Sequence, residues 1–296
     1  MRKPIFEGAG VAIITPFNSD GSINYDLFGE LIDYQINNNT DAIIVCGTTG
    51  ESSTLSDEEH VNTIKYAVER VDKRVPVIAG TGSNDTHYAR ELSKKAQRIG
   101  VDAVLQVTPY YNKTSQEGLV KHFSSIASAI DIPIILYNIP SRTGMNIDIS
   151  TMAKLTSVKN IVAVKEASGN ISYAAKLLAE LGDKLDMYSG NDDMTVPIMS
   201  LGGKGVISVL SHIIPQETHD MVDFCLKNDF RSAINIQLGF LDLINALFCE
   251  VNPMPVKAAL NIMGWKVGKC RLPLCDISNE NHAKLKHILW RHGLIE

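Results

Sequence analysis

Residues 161–168 read IVAVKEAS, an apolar, β-branched run that leads directly into Lys165 and Glu166. Its length and composition are those of a buried strand. A strand with apolar residues on both faces belongs in a parallel sheet covered on both sides. Seven further runs repeat the pattern: GVAIITPF (10–17), DAIIVCGTTG (41–50), VPVIAGTGS (75–83), AVLQVTPYY (103–111), IPIILYNIP (132–140), LDMYSGND (185–192) and GVISVLS (205–211). Each closes on polar or turn-forming residues, and amphipathic stretches follow.

DEEHVNTIKYAVER (57–70) places Val61, Ile64, Ala67 and Val68 on one stripe, behind Ser56 or Asp57 as N-cap and an acidic first turn. NDTHYARELSKKAQRIG (84–100) and SQEGLVKHFSSIASAI (115–130) repeat the theme. Eight strand–helix units within about 225 residues predict an α/β fold, a (β/α)8 TIM barrel. An open doubly wound sheet is the alternative, but no G-x-G-x-x-G follows the first run. After about residue 228 the alternation stops. SAINIQLGFLDLINALF (232–248), MPVKAALNIMGW (254–265) and NENHAKLKHILWRHGL (279–294) read as helices. The expected division is a catalytic barrel over 1–228 and a C-terminal helical domain over 229–296.

The 296 residues carry a formal charge of −5 with no Lys/Arg block, so neither nucleic acid nor a membrane surface is an expected partner. No apolar run reaches the roughly 18 residues of a spanning helix. The opening MRKPIFEGAG lacks the long apolar stretch of a leader. The five cysteines, Cys46, Cys225, Cys249, Cys270 and Cys275, follow neither a disulfide framework nor a zinc pattern. They read as reduced thiols of a cytoplasmic protein.

Barrel chemistry sits at the C-terminal strand ends and in the loops after them. Alternation puts Ile161, Ala163 and Lys165 on one face. If that face points inward, desolvation lowers the amine's pKa. A neutral lysine can attack a carbonyl and form a Schiff base. A solvated or ion-paired lysine is the competing reading. Tyr137, one strand away, can relay a proton to a carbinolamine, or can merely pack its ring. Tyr110 and Tyr111 are adjacent, so at most one is expected to aim into a site. CGTTGES (46–52) bunches hydroxyls and amides that can hold a carboxylate, although Gly/Thr turns are common in loops. Arg142 suits a carboxylate held bidentately, or is a surface arginine. The eight histidines do not cluster, and no metal site is expected.

GTTGES, TPYYN, LYNIPSRTG, VKEAS and SGND occur in this order at successive strand ends. In these motifs, over nearly its whole length, the chain resembles the dihydrodipicolinate (4-hydroxy-tetrahydrodipicolinate) synthase family. These are pyruvate-dependent class I aldolases related to N-acetylneuraminate lyase. The resemblance implies that Lys165 condenses with pyruvate. It implies a proton relay of Tyr137, Thr48 and Tyr111, with Tyr111 reaching in from a neighbouring subunit. Thr49 and nearby amides would hold the pyruvate carboxylate, and Arg142 that of L-aspartate 4-semialdehyde. Gly190 and Ile207 would line the pocket. The product would lead toward diaminopimelate and lysine. No metal or organic cofactor is implied, because the lysine is the electron sink, and the implied assembly is a homotetramer, a dimer of dimers.

Sialic acid lyases usually carry a serine-threonine pair and lack the arginine, so Thr48 and Arg142 favour the synthase. Other aldolases of sugar acids, or a non-catalytic carboxylate-binding barrel, are the alternatives. Ser52, Ser53, His60, Asn84 and Tyr110 match the inhibitor site of lysine-sensitive members. Asp57 and Tyr88 depart from it: the enteric enzymes carry a histidine at the first position, and sensitive enzymes a glutamate at the second. Losing that glutamate removes a charge-assisted contact of roughly 1.5–3 kcal/mol. Weak or absent inhibition by L-lysine is expected.

Overall fold

A short apolar strand closed by turn residues recurs eight times in the computed structural model, which describes residues 3–296. The strands are β1 (Gly8–Ala12), β2 (Ala42–Val45), β3 (Val77–Gly80), β4 (Ala103–Val107), β5 (Ile134–Asn138), β6 (Ile161–Glu166), β7 (Asp186–Ser189) and β8 (Gly205–Ser208). All are parallel, and β1 bonds to both β2 and β8, closing a (β/α)8 TIM barrel.

The helices between strands are α1 (Tyr25–Asn37), α2 (Asp57–Val71), α3 (Thr86–Ile99), α4 (Gln116–Ala127), the short α5 (Pro140–Thr143) with α6 (Ile149–Leu155), α7 (Ile171–Leu181) and α8 (Thr195–Ser200). After β8 come α9 (Pro215–Leu226), α10 (Phe230–Gly239), α11 (Leu241–Leu247), α12 (Met254–Ile262) and α13 (Asn279–Arg291). Side-chain caps set several boundaries. Ser56 and Glu59 form a capping box on α2, and Asp85 and Ser115 cap α3 and α4. These helices start within two residues of their expected positions.

Both strand faces are apolar because both are buried. Ala12, Ile44, Ile78, Leu105, Ile135, Ala163 and Ile207 fill the barrel. Val11, Ile43, Ala79, Val104, Leu136 and Val164 pack under the helices. Phe6 plugs the lower end, stacked on Tyr188 with ring centroids 4.4 Å apart.

Three local expectations are corrected. Ile161 does not share a face with Ala163 and Lys165. The register runs Ile134 to Ile161 and then Ile135 to Ala163, so Val162 is the extra residue of a bulge. Ile161 packs in the outer layer, while Ala163 packs inside. The first strand is Gly8–Ala12 rather than 10–17, because the buried Ile13 and Ile14 already belong to the loop at the barrel mouth. The expected helix over 232–248 is two helices that meet at Phe240, whose φ of −106° and ψ of 13° interrupt the α conformation. The break buries Leu243, Ile244 and Leu247 while Leu238 stays exposed.

The division expected at 228/229 falls between α9 and α10. α10 packs on α8 and α9, whereas α11, α12 and α13 pack on one another. Among the described residues no helix is long and apolar enough to cross a membrane. Met1 and Arg2, part of the leader and barrel readings, lie outside the described residues.

Candidate active site

The bulge in β6 sets the inward phase of Lys165, which pairs in register with Tyr137 on one side and Tyr188 on the other. The lysine is 6% exposed. Its Nζ lies 4.4 Å from the centroid of the Tyr137 ring, a cation–π contact. Burial pulls the amine down to about 8, with the Asp192 carboxylate opposing and the Arg142 charge adding to the fall. Roughly a tenth of the amine is therefore neutral at pH 7. The carboxylate next in sequence is engaged elsewhere: Glu166 accepts from Asn138 Nδ2 at 2.8 Å and from the Ser168 amide at 2.7 Å.

Tyr137 is buried, and that burial pushes its phenol up to about 12, against the pull of Arg142 and of a hydrogen bond with Thr48. It is thus a neutral donor across the usable pH range. Thr48 sits in a tight turn after β2, closed by Gly50 N donating to Gly47 O and Glu51 N to Thr48 O, each at 3.1 Å. Thr49 is buried in the same turn. Gly190 follows β7 where no side chain fits: a Cβ there would stand 2.6 Å from Ala167 Cβ and 3.1 Å from Lys165 Cε. Ile207 projects into the barrel from β8. Lys165, Tyr137, Thr48, Thr49, Arg142, Gly190 and Ile207 thus gather at one barrel mouth.

Tyr111 does not join them within this chain. It is 95% exposed, with a left-handed φ of 66°. β4 ends at Val107, so Tyr110 and Tyr111 stand in a loop, and strand alternation does not govern them. Tyr110 instead lines a cavity of about 300 Å³ with Thr48, Ser52, Ser53, His60, Tyr88 and Arg142.

Two further residues complete the mouth. Asp192, in the SGND segment, is buried. Its Oδ1 accepts from Ser208 Oγ at 2.6 Å and its Oδ2 from the Val209 and Leu210 amides at 3.0 Å each. Burial raises its carboxyl, and the charge of Lys165 draws it back. An acid after a strand gives no sign that it faces a lysine on the neighbouring strand. Asn252 arrives from the loop between α11 and α12. Its Nδ2 donates to Thr49 Oγ1 at 2.9 Å, and its carbonyl accepts from Arg142 at 3.1 Å. Its Oδ1 is buried without a partner among the described residues, a free acceptor beside the two groups expected to bind carboxylates. Nothing in its local sequence signals this.

A buried amine of lowered pKa beside a neutral phenol and a hydroxyl-rich turn is equipped to form and protonate a carbinolamine. The model of the dihydrodipicolinate synthetase family matches residues 5–292. The 4-hydroxy-tetrahydrodipicolinate synthase of Acetivibrio thermocellus is 57% identical over 295 residues, covering 100% of both chains. The crystal structure of dihydrodipicolinate synthase from Aquifex aeolicus is similar with a TM-score of 0.96 and 46% identity, over 98% of this chain and 99% of that one. A dihydrodipicolinate synthase from Acinetobacter baumannii, solved with pyruvate, is similar with a TM-score of 0.96 and 41% identity, over 98% and 99%.

Proposed function

The chain belongs to the dihydrodipicolinate synthetase family, lyases of the class I aldolase type, and from that premise we propose that it joins pyruvate to L-aspartate 4-semialdehyde through a Schiff base on Lys165. The observation that carries this reading is the buried Lys165 amine, lowered to about 8, lying against Tyr137 at the barrel mouth. The pyruvate bound by the Acinetobacter relative supports the first substrate.

The neutral Nζ adds to C2 of pyruvate, and the carbinolamine loses water to give an iminium. Loss of a C3 proton gives the enamine, whose C3 attacks the aldehyde carbon. The amino group of the semialdehyde then adds to C2, closing the ring and releasing Lys165. Tyr137 and Thr48 pass the protons, joined by Tyr111 of a neighbouring subunit. Thr49 and the turn amides hold the pyruvate carboxylate, and Arg142 holds that of the second substrate. Gly190 and Ile207 leave room around the imine. The iminium is the electron sink, so no metal or organic cofactor is required. The product leads toward diaminopimelate and lysine in the cytoplasm.

The test is turnover by chelator-treated protein, comparing pyruvate plus L-aspartate 4-semialdehyde with N-acetylneuraminate and 2-keto-3-deoxy sugar acids. Turnover confined to the sugar acids contradicts the assignment, and loss of activity on chelation contradicts the cofactor-free route.

The active assembly is a homotetramer, a dimer of dimers. The exposed, left-handed Tyr111 supports this, since an aromatic held outward at the barrel mouth suits insertion into a second subunit. Sedimentation at micromolar concentration is expected to give the tetramer. An active monomer would contradict the shared tyrosine.

Inhibition by L-lysine is weak or absent. In the cavity beside Thr48, Tyr88 offers no carboxylate, and its hydroxyl donates to Asp57 Oδ1 at 2.7 Å, occupying the acid nearby. Titration with L-lysine is expected to leave the rate unchanged at micromolar concentration, and half-inhibition in that range would refute this.

A further inference from the structure

Behind the Thr48–Thr49 turn lies a buried ion pair that the Schiff-base chemistry does not use. Glu51 closes the turn with a left-handed φ of 54°, an uncommon state for a residue other than glycine. Its fully buried side chain is held at both oxygens. Oε1 accepts from Lys257 Nζ at 2.8 Å, and Oε2 accepts from the Arg271 amide at 2.8 Å. Lys257, on α12, is equally buried and spends its other two hydrogens on the Thr15 carbonyl at 3.1 Å and the Lys269 carbonyl at 2.9 Å. Its Nζ rests over the Phe17 ring, 4.3 Å from the centroid. Thr15 in turn donates from Oγ1 to the Gly50 carbonyl at 2.7 Å. One ammonium from the C-terminal helices therefore ties the loop after β1 to the turn after β2.

Stability alone is a poor reason for such a pair. Replacing a buried ion pair with apolar side chains of similar volume is often neutral or stabilising. The place of this pair in the chain supplies another reason. Glu51 is two residues from Thr49, and its own amide closes the ring onto the Thr48 carbonyl. Any freedom in Glu51 passes directly to both threonines.

We propose that Lys257 and Glu51 are positioning residues, whose buried pair lets the C-terminal helices fix the turn that presents Thr48 and Thr49 to pyruvate. The proposal rests on the reading of Lys165 as the pyruvate nucleophile and deepens it. It implies a division of labour. The pair bears directly on the turn that holds the pyruvate side, whereas Arg142 is linked to that turn only indirectly, through Asn252, whose carbonyl accepts from it and whose Nδ2 donates to Thr49.

The double variant Glu51→Gln/Lys257→Met removes both charges together, so neither is left buried alone, although the Thr15 and Lys269 carbonyls lose the ammonium as donor. Expected is a folded protein whose kcat/KM for pyruvate falls on the order of 100-fold, the scale of a misplacement of about 1 Å. The KM for pyruvate rises, the KM for the aldehyde stays constant, and the acid limb of the pH profile does not move. A merely structural pair would leave the pyruvate KM unchanged, or shift both KM values together with the melting temperature; either result overturns the proposal. Should the double variant not fold, Glu51→Gln alone is read by the same split. Borohydride trapping of the parent protein with pyruvate keeps the two claims apart. No adduct on the parent defeats the Schiff-base reading, whereas a trapped parent with unaltered variants defeats this inference alone.

Discussion

Lys165→Met is expected to abolish turnover, lowering kcat by at least three orders of magnitude, the scale on which loss of a covalent nucleophile is felt. The same substitution is expected to stabilise the fold. The Lys165 amine falls from its ordinary 10.5 to about 8 in the folded protein. Between those values the unfolded chain holds a proton that the folded chain has released, so stability rises as pH rises through the window. Below pH 8 both states are protonated and the burden of burying the charge is carried in full, an upper bound on the order of 3 kcal/mol. Methionine fills nearly the same volume without that charge. Denaturant unfolding at pH 7 is therefore expected to show a more stable variant, with the difference shrinking toward pH 10.5. The kcat/KM for pyruvate in the parent is expected to climb to a limb near pH 8. A variant that keeps measurable turnover, or one less stable than the parent at pH 7, would count against a desolvated nucleophile.

Tyr137→Phe is expected to have the next largest effect. Phenylalanine keeps the ring beneath the Lys165 ammonium and removes only the hydroxyl paired with Thr48. Loss of a positioned general acid–base group lowers rates by about 10²–10⁴-fold. That loss is expected in kcat, with slower formation of the trapped pyruvate adduct on the same lysine. Because burial holds the phenol near 12, no limb of the parent profile below pH 10 belongs to it. If Tyr137→Phe forms its adduct at the parent's rate, the tyrosine only packs.

What could be read from the sequence was what is local. Eight apolar runs, each ending in polar residues, gave the barrel, because a parallel strand buried on both faces has no polar alternation to disguise it. The bulge at Val162 was not legible, since a one-residue slip in pairing leaves no mark in an all-apolar run. Nor was the break at Phe240, which tertiary packing decides. The site divides in the same way. Thr48, Thr49, Tyr137, Arg142 and Lys165 stand at strand ends or just past them, where barrel topology directs attention. Asn252 and Lys257 act from 203 and 206 residues away from their partners Thr49 and Glu51. Such pairings exist only after the chain closes on itself. Tyr111 marks the opposite limit: its position along the chain is clear, but one folded chain does not bring it to Lys165.

The most direct test is to incubate the protein with pyruvate, reduce it with borohydride, and map the product by intact and peptide mass. Expected is one reduced pyruvate adduct per chain, on the peptide that carries Lys165, absent from Lys165→Met. A folded protein with no adduct, or with the adduct on any other lysine, would contradict the assignment of Lys165 as the nucleophile.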